Sequence, residues 1–314
     1  MKKYFGAVLL VFLSAGILLT AQKANPVSDF EYDLNSEGTG VVIKKYKGTS
    51  KDVIIPSMIE DFPIVKLGYD SFKETKIVSV IIPNSVTIID RECFSKCKYL
   101  EKVTLPKGLE SLGGSCFYEC EALKEIVLSQ GLVKISDETF SNSGLESIVI
   151  PDSVQEIDYW AFQDCISLTS ITIPDSVTTI GSRAFEKCKN LKTITVGTGL
   201  ESISNDAFKE CTALTSIILG DNLKYIDDEV FCGCTSLTSV KIGKGINRIG
   251  KEAFKDCSSL TTFDIGVKKL PYFYNSELWK KDINGYLGDV FKGCSSLSLK
   301  EKKKIKDSGY KGEF

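Results

Sequence analysis

The chain has 314 residues, of which 43% are hydrophobic and 25% are charged, and these proportions are typical of a globular protein. The formal net charge is −2, so no general attraction to nucleic acid or to an anionic membrane is expected. The sequence contains no histidine, which excludes imidazole acid–base catalysis, histidine-activated nucleophiles and histidine zinc sites. Any catalysis would therefore depend on carboxylates, lysines or cysteines.

The N-terminus has the pattern of an export signal. Two lysines precede an apolar stretch over residues 4–21, and the small residues Ala21 and Ala24 offer cleavage points. We therefore predict a signal peptide over residues 1–24 and an exported protein at the cell surface or secreted, with the periplasm as an alternative. The apolar stretch is close to the length that spans a bilayer, so an uncleaved anchor is the other interpretation. Membrane contact is expected only in that case.

Residues 25–68 are predicted to form an N-terminal cap and a first variant repeat. Residues 30–46 have the pattern of two strands joined by an Asn-Ser-Glu-Gly turn. Residues 54–68 resemble a repeat unit with extra residues between Pro56 and Leu67. A cap is expected here because the end of a repeat stack would otherwise expose its apolar cross-section.

A phenylalanine recurs through residues 69–265 at a nearly constant spacing. Most intervals are 23 residues long, and the two intervals of 22 residues follow Phe72 and Phe140. A cysteine follows most of these phenylalanines after three residues, and the two units with the short interval lack it. The two series are Phe72, Phe94, Phe117, Phe140, Phe162, Phe185, Phe208, Phe231 and Phe254, and Cys97, Cys120, Cys165, Cys188, Cys211, Cys234 and Cys257.

Each repeat unit predicts two short strands and a turn. In residues 168–173, LTSITI, apolar and small polar residues alternate with period 2, which is typical of a strand with one buried face. Residues 177–180, VTTI, predict a second strand, and residues 181–188 predict a helical turn that directs Phe185 inward. One unit cannot bury its own apolar face, so stacked units must share columns of Phe, Ile and Cys. The predicted fold is an elongated, β-rich solenoid of about nine coils.

The unit C-x-x-L-x-x-[IV]-x-[IV]-[PG], followed by a second apolar run, resembles the repeat of the BspA-like leucine-rich-repeat proteins of host-associated bacteria. The resemblance covers about residues 50–298. The general leucine-rich signature fits less well, because Gly108 stands at its Asn position and Leu109 comes one place early. The resemblance implies a leucine-rich-repeat solenoid in an exported or surface protein. It also implies binding to host matrix proteins such as fibronectin and fibrinogen, or to other bacterial cells, and it carries over no catalytic residue.

Beyond residue 265 the repeat is interrupted. The next phenylalanine, Phe291, comes 37 residues after Phe254, and an aromatic-rich insertion over residues 266–290 fills the gap. Exposed Tyr and Trp are typical binding anchors, whereas rings that cover the last coil would form a cap, and both interpretations stay open. Residues 291–314 are predicted to form a last partial repeat and a C-terminal capping helix. The candidate anchors are Tyr272, Phe273, Tyr274 and Trp279.

The sequence has eleven cysteines. Cys93, Cys97, Cys116 and Cys120 form two C-x3-C pairs, a spacing that would also suit zinc. In the repeat, however, Cys97 and Cys120 occupy the regular cysteine column, and the other two stand where other units have alanine. Buried thiols are therefore the expected state. A disulfide between neighbouring coils and a metal site are the alternatives.

The segment GINRIGKE, residues 245–252, matches most of a phosphate-binding loop. Glu252, however, stands where a Ser or Thr would bind Mg²⁺, and both glycines of the segment follow the repeat pattern. Nucleotide binding is therefore not expected, and no cofactor is predicted.

The outward residues of the predicted first strands form a broad surface of hydroxyl and β-branched side chains. Such residues also favour a solvated strand without a binding role, and this interpretation stays open. No paired carboxylates converge on the surface, so glycosidase chemistry finds no support. The candidate binding surface consists of Thr169, Ser170, Thr172, Lys192, Thr193, Thr195, Thr215, Ser216, Ile218, Thr238, Ser239 and Lys241.

These observations together predict an exported, non-enzymatic protein-binding module, namely a surface adhesin that contacts host matrix proteins or other cells. Neither nucleic acid nor a small-molecule substrate is expected as a partner. A periplasmic or envelope scaffold that binds a bacterial partner is the first alternative. A carboxylate-dependent enzyme with acids in residues 268–290 is the second, although no histidine and no cofactor loop supports it.

Overall fold

The structure, a computed structural model, describes residues 23–267, 272–273, 289–310 and 312–314. Ten coils, each marked by one phenylalanine from Phe72 to Phe291, stack into a solenoid. A regular coil contributes a first strand, a second strand and a turn segment that carries the phenylalanine. The predicted leucine-rich-repeat solenoid is therefore confirmed.

The first strands of successive coils pair in parallel, and we call this sheet surface the first row. Alternate side chains point inward, so Ile171 and Ile173 are buried while Ser170 and Thr172 are exposed. The row consists of a three-stranded and a five-stranded sheet. Its strands are Asp52–Ile54, Ser79–Ile81, Lys102–Thr104, Ser170–Ile173, Thr193–Val196, Ser216–Leu219, Ser239–Ile242 and Thr262–Ile265.

The second strands form a separate second row, and all of them except Phe62–Leu67 are only two residues long. Most of them bury one isoleucine or leucine, as Ile180 and Ile203 show. Neighbouring strands of the row pair in parallel, which confirms the predicted strand in residues 177–180. The strands are Phe62–Leu67, Ile88–Ile89, Ser111–Leu112, Lys134–Ile135, Glu156–Ile157, Thr179–Ile180, Ser202–Ile203, Tyr225–Ile226, Arg248–Ile249 and Tyr272–Phe273.

The turn segment around each core phenylalanine is a run of β-turns, so the prediction of a helical turn in residues 181–188 is wrong. The amides of Ala184 and Cys188 each donate to the carbonyl three residues earlier, at 3.2 Å. The third residues of these two turns, Arg183 and Lys187, have φ angles of 58° and 59°. A right-handed helix cannot contain such residues, whereas a type II turn requires one. The turns still direct the phenylalanine inward, where it is fully buried.

The phenylalanines form one continuous stack along the solenoid. Neighbouring ring centroids from Phe72 to Phe291 lie between 5.0 and 5.7 Å apart, and the rings are nearly parallel in most pairs. A parallel, offset contact at this distance is favourable for aromatic rings beyond the area that they bury. Since no unit can bury its ring alone, this column explains why the spacing in the sequence is so strict.

The cysteines form a second column, which is hydrogen-bonded to the first. The thiol of Cys188 donates to the carbonyl of Phe162 in the preceding coil at 3.1 Å. Seven further thiols make the same contact with the preceding phenylalanine, namely those of Cys97, Cys120, Cys165, Cys211, Cys234, Cys257 and Cys294. All eleven cysteines are free and buried, which confirms the expectation of buried thiols.

Burial also makes these thiols chemically inert. It raises the pKa of Cys165 to about 12 and that of Cys97 to about 11, so the reactive thiolate is rare at neutral pH. In the two units without the cysteine, Thr75 and Ser143 occupy the column, and their hydroxyls lie 3.3 and 3.4 Å from the thiol of the next coil. The cysteine column is therefore a structural feature of the stack.

The N-terminal end of the stack is covered by a hairpin. Strands Phe30–Leu34 and Val41–Tyr46 pair antiparallel, as predicted, and their turn contains Gly38 with a φ of 66°. The Tyr46 ring stacks on Phe72 at 5.3 Å and thereby covers the first ring of the column. The role of this hairpin as an N-terminal cap stays a prediction, and the ring contact is consistent with it.

The C-terminal end of the stack is covered by a helix and the residues after it. The helix Leu299–Asp307 begins after Ser298, whose hydroxyl accepts from the amide of Glu301 at 3.2 Å. Beyond the helix, the rings of Tyr310 and Phe314 lie 5.1 and 6.0 Å from Phe291. The predicted closing helix is thus present, and the last ring of the column is covered within the described residues.

Strand pairing is interrupted near the middle of the solenoid. In the first row, the coils of Val127 and Val149 contribute only an isolated bridge between these two residues. In the second row, no pairing within the described ranges joins Ser111–Leu112 to Lys134–Ile135. We call residues 102–150 the central stretch and residues 168–265, where pairing is continuous in both rows, the regular stretch.

One ion pair spans a whole coil of the central stretch. Arg91 donates through Nη1 to both carboxylate oxygens of Asp137, at 3.0 and 2.7 Å. The coil between them carries Gly114 at the position where a side chain would collide with the Asp137 carboxylate. The missing side chain therefore lets Arg91 tie together two coils that are not neighbours.

Candidate binding surface

The first row presents the predicted surface to solvent. All twelve candidate residues from Thr169 to Lys241 point outward, and all are exposed except Ser239, which is half-buried. Residues at the same place in neighbouring coils pair directly, so Thr172 lies opposite Thr195 and Ile218 lies opposite Lys241. The structure thus brings the candidate residues together on one continuous sheet.

Some of the hydroxyls on this surface are used within the protein. Thr238 Oγ1 donates to the carbonyl of Thr215 at 2.9 Å, and Thr261 Oγ1 donates to that of Thr238 at 3.1 Å. Thr215 Oγ1 makes the same contact with Lys192 at 3.4 Å. These threonines extend the backbone ladder, so their identity is explained in part by structure. The methyl groups of their side chains remain at the surface.

One outward position of the first row carries an uncharged residue in seven successive coils, and we call these seven residues the uncharged column. Val127, Val149 and Ile218 are 86%, 76% and 67% exposed, although such side chains are usually buried. At about 4.8 Å per strand, the column is roughly 30 Å long. Its members are Ile81, Thr104, Val127, Val149, Thr172, Thr195 and Ile218.

The part of the uncharged column that lies in the central stretch is not among the residues predicted from the sequence. Val127 and Val149 occupy the place of Thr172 in their own units. Each lies four residues after the leucine that begins LKEIVL or LESIVI. Alignment of the units would therefore have found them. The aligned units also show that no residue from Ile81 to Ile218 is charged at the position of Thr172.

The second row is chemically different, because ion pairs connect its coils. Lys66 and Asp90 lie 2.7 Å apart, Lys134 and Asp158 lie 2.5 Å apart, and a third pair joins Lys224 to Glu201 at 2.7 Å. Exposed pairs of this kind contribute little to stability individually. Among the described residues, the first row carries one such pair, between Lys124 and Glu146 at 3.1 Å, but the uncharged column itself bears no charge over its seven coils.

The turn segments leave an open groove of about 510 Å³ over the shortened coil at residues 142–144. Glu119 and Glu121 line it, and Lys98 pairs with both of them at 3.9 and 2.8 Å. Within the described residues, no group of three or more His, Cys, Asp or Glu side chains is placed to hold a metal ion. Two of the three acids that line the groove are thus engaged with a lysine, and the third is Asp164.

The glycines of the phosphate-loop-like segment are explained by coil packing. A side chain at Gly245 would collide with the carbonyl oxygen of Asp221, and one at Gly250 would collide with the backbone of Asp227 in the preceding coil. Both positions therefore require glycine so that neighbouring coils can approach each other.

The candidate aromatic anchors fall at the edge of the described residues. Tyr272–Phe273 forms a short strand that pairs in parallel with Arg248–Ile249, so its backbone extends the second row by one coil. Tyr274 and Trp279 lie outside the described residues. A role of these four residues as anchors stays a prediction.

The segment that carries the predicted signal peptide, residues 1–22, also lies outside the described part of the chain. Within the ranges that the structure describes, no helix has the length and apolar character needed to cross a membrane.

The ten stacked coils, the parallel strand rows and the capped ends define a leucine-rich-repeat solenoid, a fold that is typically a non-enzymatic scaffold for protein binding. The model of the BspA type leucine rich repeat region matches residues 50–169 and 157–278, with six copies of the repeat. The chain belongs to this family, which confirms the resemblance seen in the sequence.

Several solved structures are similar to the chain. A T. pallidum leucine-rich-repeat protein is 25% identical, with a TM-score of 0.43, and the match covers 93% of this chain and 99% of that one. A leucine-rich cell surface protein from Faecalibacterium prausnitzii is 22% identical, with a TM-score of 0.47 and coverages of 94% and 99%. The pneumococcal vaccine antigen PcpA is 21% identical, with a TM-score of 0.40 and coverages of 86% and 96%. No curated protein matches the chain.

Proposed function

We propose that the protein is an exported adhesin that binds proteins of the host matrix, or the surfaces of other bacteria, through the first row. The observation that carries this proposal is the uncharged column. Val127 and Val149 expose most of their surface to water in the same outward position as Thr172 and Thr195. A strand position that needed only to be soluble could carry charge, as Lys241 and Asp264 do at the same position in the next two coils.

The shape of this surface favours a macromolecular partner. The uncharged column extends over seven coils. Hydroxyl residues flank it in the regular stretch, whereas the exposed residues Lys102, Lys124, Glu125 and Glu146 flank it in the central stretch. A small molecule is usually bound in a concave pocket that buries most of its surface, whereas an extended face suits a protein. Because β-branched residues and hydroxyls dominate the face, contact is expected to depend on apolar burial more than on charge.

Fibronectin and fibrinogen are the first partners to test, because the family resemblance points to them. The purified protein is titrated over each immobilised ligand and over whole bacterial cells at several salt concentrations. Saturable binding that changes little between low and moderate salt supports the proposal, since apolar contacts are not screened by ions. Absence of saturable binding to all of these surfaces contradicts it and leaves the envelope-scaffold alternative, for which a capture experiment from bacterial envelope extract is the next test.

A further inference from the structure

One residue of the turn segments differs from all its equivalents. From residue 70 to residue 252, the residue two positions before each core phenylalanine has a positive φ. In all of these coils but one, that residue is charged or a serine. In the coil of Phe162 the place is taken by Trp160, with a φ of 56°. A bulky residue is strained in this region, and strain of this kind is concentrated at functional sites. Nothing in the stacking of the coils requires a tryptophan there.

Trp160 forms an aromatic pair with its neighbour. The rings of Tyr159 and Trp160 meet edge to face with their centroids 5.0 Å apart. Tyr159 is 41% exposed and Trp160 is half-buried, so the pair is anchored in the turn segments and open to solvent. Tyrosine and tryptophan in this setting, with an arginine close by, are the residue types that dominate binding energy at protein interfaces.

The surroundings of the pair contain more carboxylates than cations. Arg91 is held by Asp137 and Lys134 by Asp158, so each of these charges is balanced within the protein. Glu138 accepts a hydrogen bond from Ser115 Oγ at 2.8 Å and has no ion pair among the described residues. The negative charge of Asp137 also raises the pKa of Tyr159. In the next coil Arg183 occupies the place of Trp160 and pairs with Asp206 at 3.3 Å. The charged groups around the pair are Arg91, Lys134, Arg183, Asp137, Glu138, Glu156, Asp158 and Asp206.

We propose that Tyr159 and Trp160 form a docking site on the turn segments for a lysine or arginine side chain of a protein partner. The faces of the two rings attract a cation, and the excess of carboxylates favours the same sign of charge. An acidic or purely apolar partner would gain nothing from Glu138 and Glu156. The site lies in the turn segments and not in the first row, so it is independent of the uncharged column and of the adhesin proposal.

The two tryptophans of the sequence allow a direct test. The variant Trp279→Phe leaves Trp160 as the only tryptophan, so its fluorescence reports on this site alone. The full chain with this substitution is titrated with tetra-lysine and tetra-arginine, and with tetra-glutamate as the control of opposite charge. We expect a saturable change of Trp160 emission with the two basic peptides, which weakens as salt is raised, and no change with tetra-glutamate.

Two further variants locate the binding by calorimetry. Trp160→Ser should fold normally, because Ser115 occupies the equivalent place with a φ of 54°, and it should bind tetra-arginine about ten-fold more weakly. The matched control is Tyr225→Ala, which removes an exposed ring from the second row and should leave the affinity unchanged. Unchanged affinity of Trp160→Ser, a constant emission during the peptide titrations, or equal binding of tetra-glutamate would each overturn the proposal.

Discussion

The regular and central stretches of the solenoid reach the same stacking by different means. In the regular stretch, strands such as Ser216–Leu219 and Ser239–Ile242 pair over their full length. Between the coils of Val127 and Val149 in the central stretch, the first row is reduced to one bridge, yet the Phe117 and Phe140 rings still stack at 5.7 Å. The turn-segment ladder also continues there, since the amide of Phe117 donates to the carbonyl of Thr139 at 2.8 Å. The side-chain columns and turns therefore hold the coils together where the sheets do not.

Side chains replace some of the missing sheet contacts in the central stretch. Ser136 Oγ donates to the carbonyl of Leu112 at 2.8 Å, and Ser129 Oγ donates to that of Lys107 at 2.7 Å. The ion pair between Arg91 and Asp137 adds a connection across two coils. A coil therefore needs its turn and its core ring, whereas its strands can be shortened without breaking the stack.

The largest effect is expected from alkaline pH, which acts on the cysteine column. Burial raises the pKa of Cys165 and Cys294 to about 12 and that of other column thiols well above the ordinary value near 9. Above pH 9 the unfolded chain loses thiol protons while the folded chain keeps them. The contribution of the buried thiols to the free energy of unfolding is therefore fully present below pH 9. Above pH 9 the free energy of unfolding falls by about 1.4 kcal/mol per pH unit for each thiol.

This prediction is checked by urea denaturation at pH 8, 9 and 10 in the presence of a reductant. The urea midpoint should fall steeply above pH 9. The double variant Cys188→Ser and Cys211→Ser, which removes two thiols from the regular stretch, should show a shallower fall. A midpoint that stays constant from pH 8 to pH 10 would show that the thiols are not buried as described.

Removal of a core ring should have the next largest effect. Phe208→Ala in the regular stretch and Phe117→Ala in the central stretch should each lower the free energy of unfolding by about 3–5 kcal/mol. Phe117→Ala should also split the transition in two, because little sheet pairing is left to couple the two sides. Chemical denaturation followed by circular dichroism and by fluorescence measures both effects. Coincident single transitions for both variants would mean that the central stretch is as cooperative as the regular one.

Loss of the ion pair that spans a coil should have a moderate effect. Asp137 is only 12% exposed, so Arg91→Ala leaves a carboxylate without its charged donor, and the free energy of unfolding should fall by about 1–2 kcal/mol. Arg91 is 48% exposed, which keeps the loss at this level because water replaces part of the contact. The matched control is Lys224→Ala, whose pair with Glu201 is exposed on both sides and should matter little. Equal midpoints of the two variants in urea would refute the special role of Arg91.

The smallest effect is expected at the strained turns. Glu210 has a φ of 58°, and the equivalent places two residues after Phe231 and Phe291 are taken by Gly233 and Gly293. Glu210→Gly should raise the free energy of unfolding by about 0.5 kcal/mol, because the relief of left-handed strain, about 1–2 kcal/mol, exceeds the entropic cost of glycine, about 0.5–1 kcal/mol. Ala213→Gly, which lies nearby without a positive φ, should instead lower it by about 0.5–1 kcal/mol. A loss of stability in both variants would mean that the turn is not strained at Glu210.

Much of the fold could be predicted from the sequence, because stacking imposes the same requirement on every unit. The phenylalanine spacing predicted the central column, and the alternation in LTSITI predicted the first row with its buried Ile171 and Ile173. The turns could not be predicted as easily. Arg183 and Lys187 adopt positive φ angles, although the intrinsic backbone preference for such angles favours glycine or asparagine. There the hydrogen bonds to neighbouring coils override local preference.

The candidate surface was predicted only in part. Residues 169–241 were found because their units are the most regular. Val127 and Val149 were missed because their units depart from the regular pattern. The pairing of Arg91 with Asp137 joins residues 46 positions apart and depends on the space left by Gly114, which no spacing rule reveals. Such contacts follow from the three-dimensional arrangement of several coils.

The most direct test of the central claim compares binding before and after charge is placed on the first row. The triple variant Thr172→Arg, Thr195→Arg and Ile218→Arg changes three exposed residues of the uncharged column. The control variant Gln155→Arg, Thr178→Arg and Asn247→Arg adds the same charge to exposed residues beside the second row. Binding to immobilised fibronectin and fibrinogen is measured for both variants at equal stability. We expect the first variant to lose binding and the control to retain it, whereas equal binding of both would contradict the assignment of the first row as the binding surface.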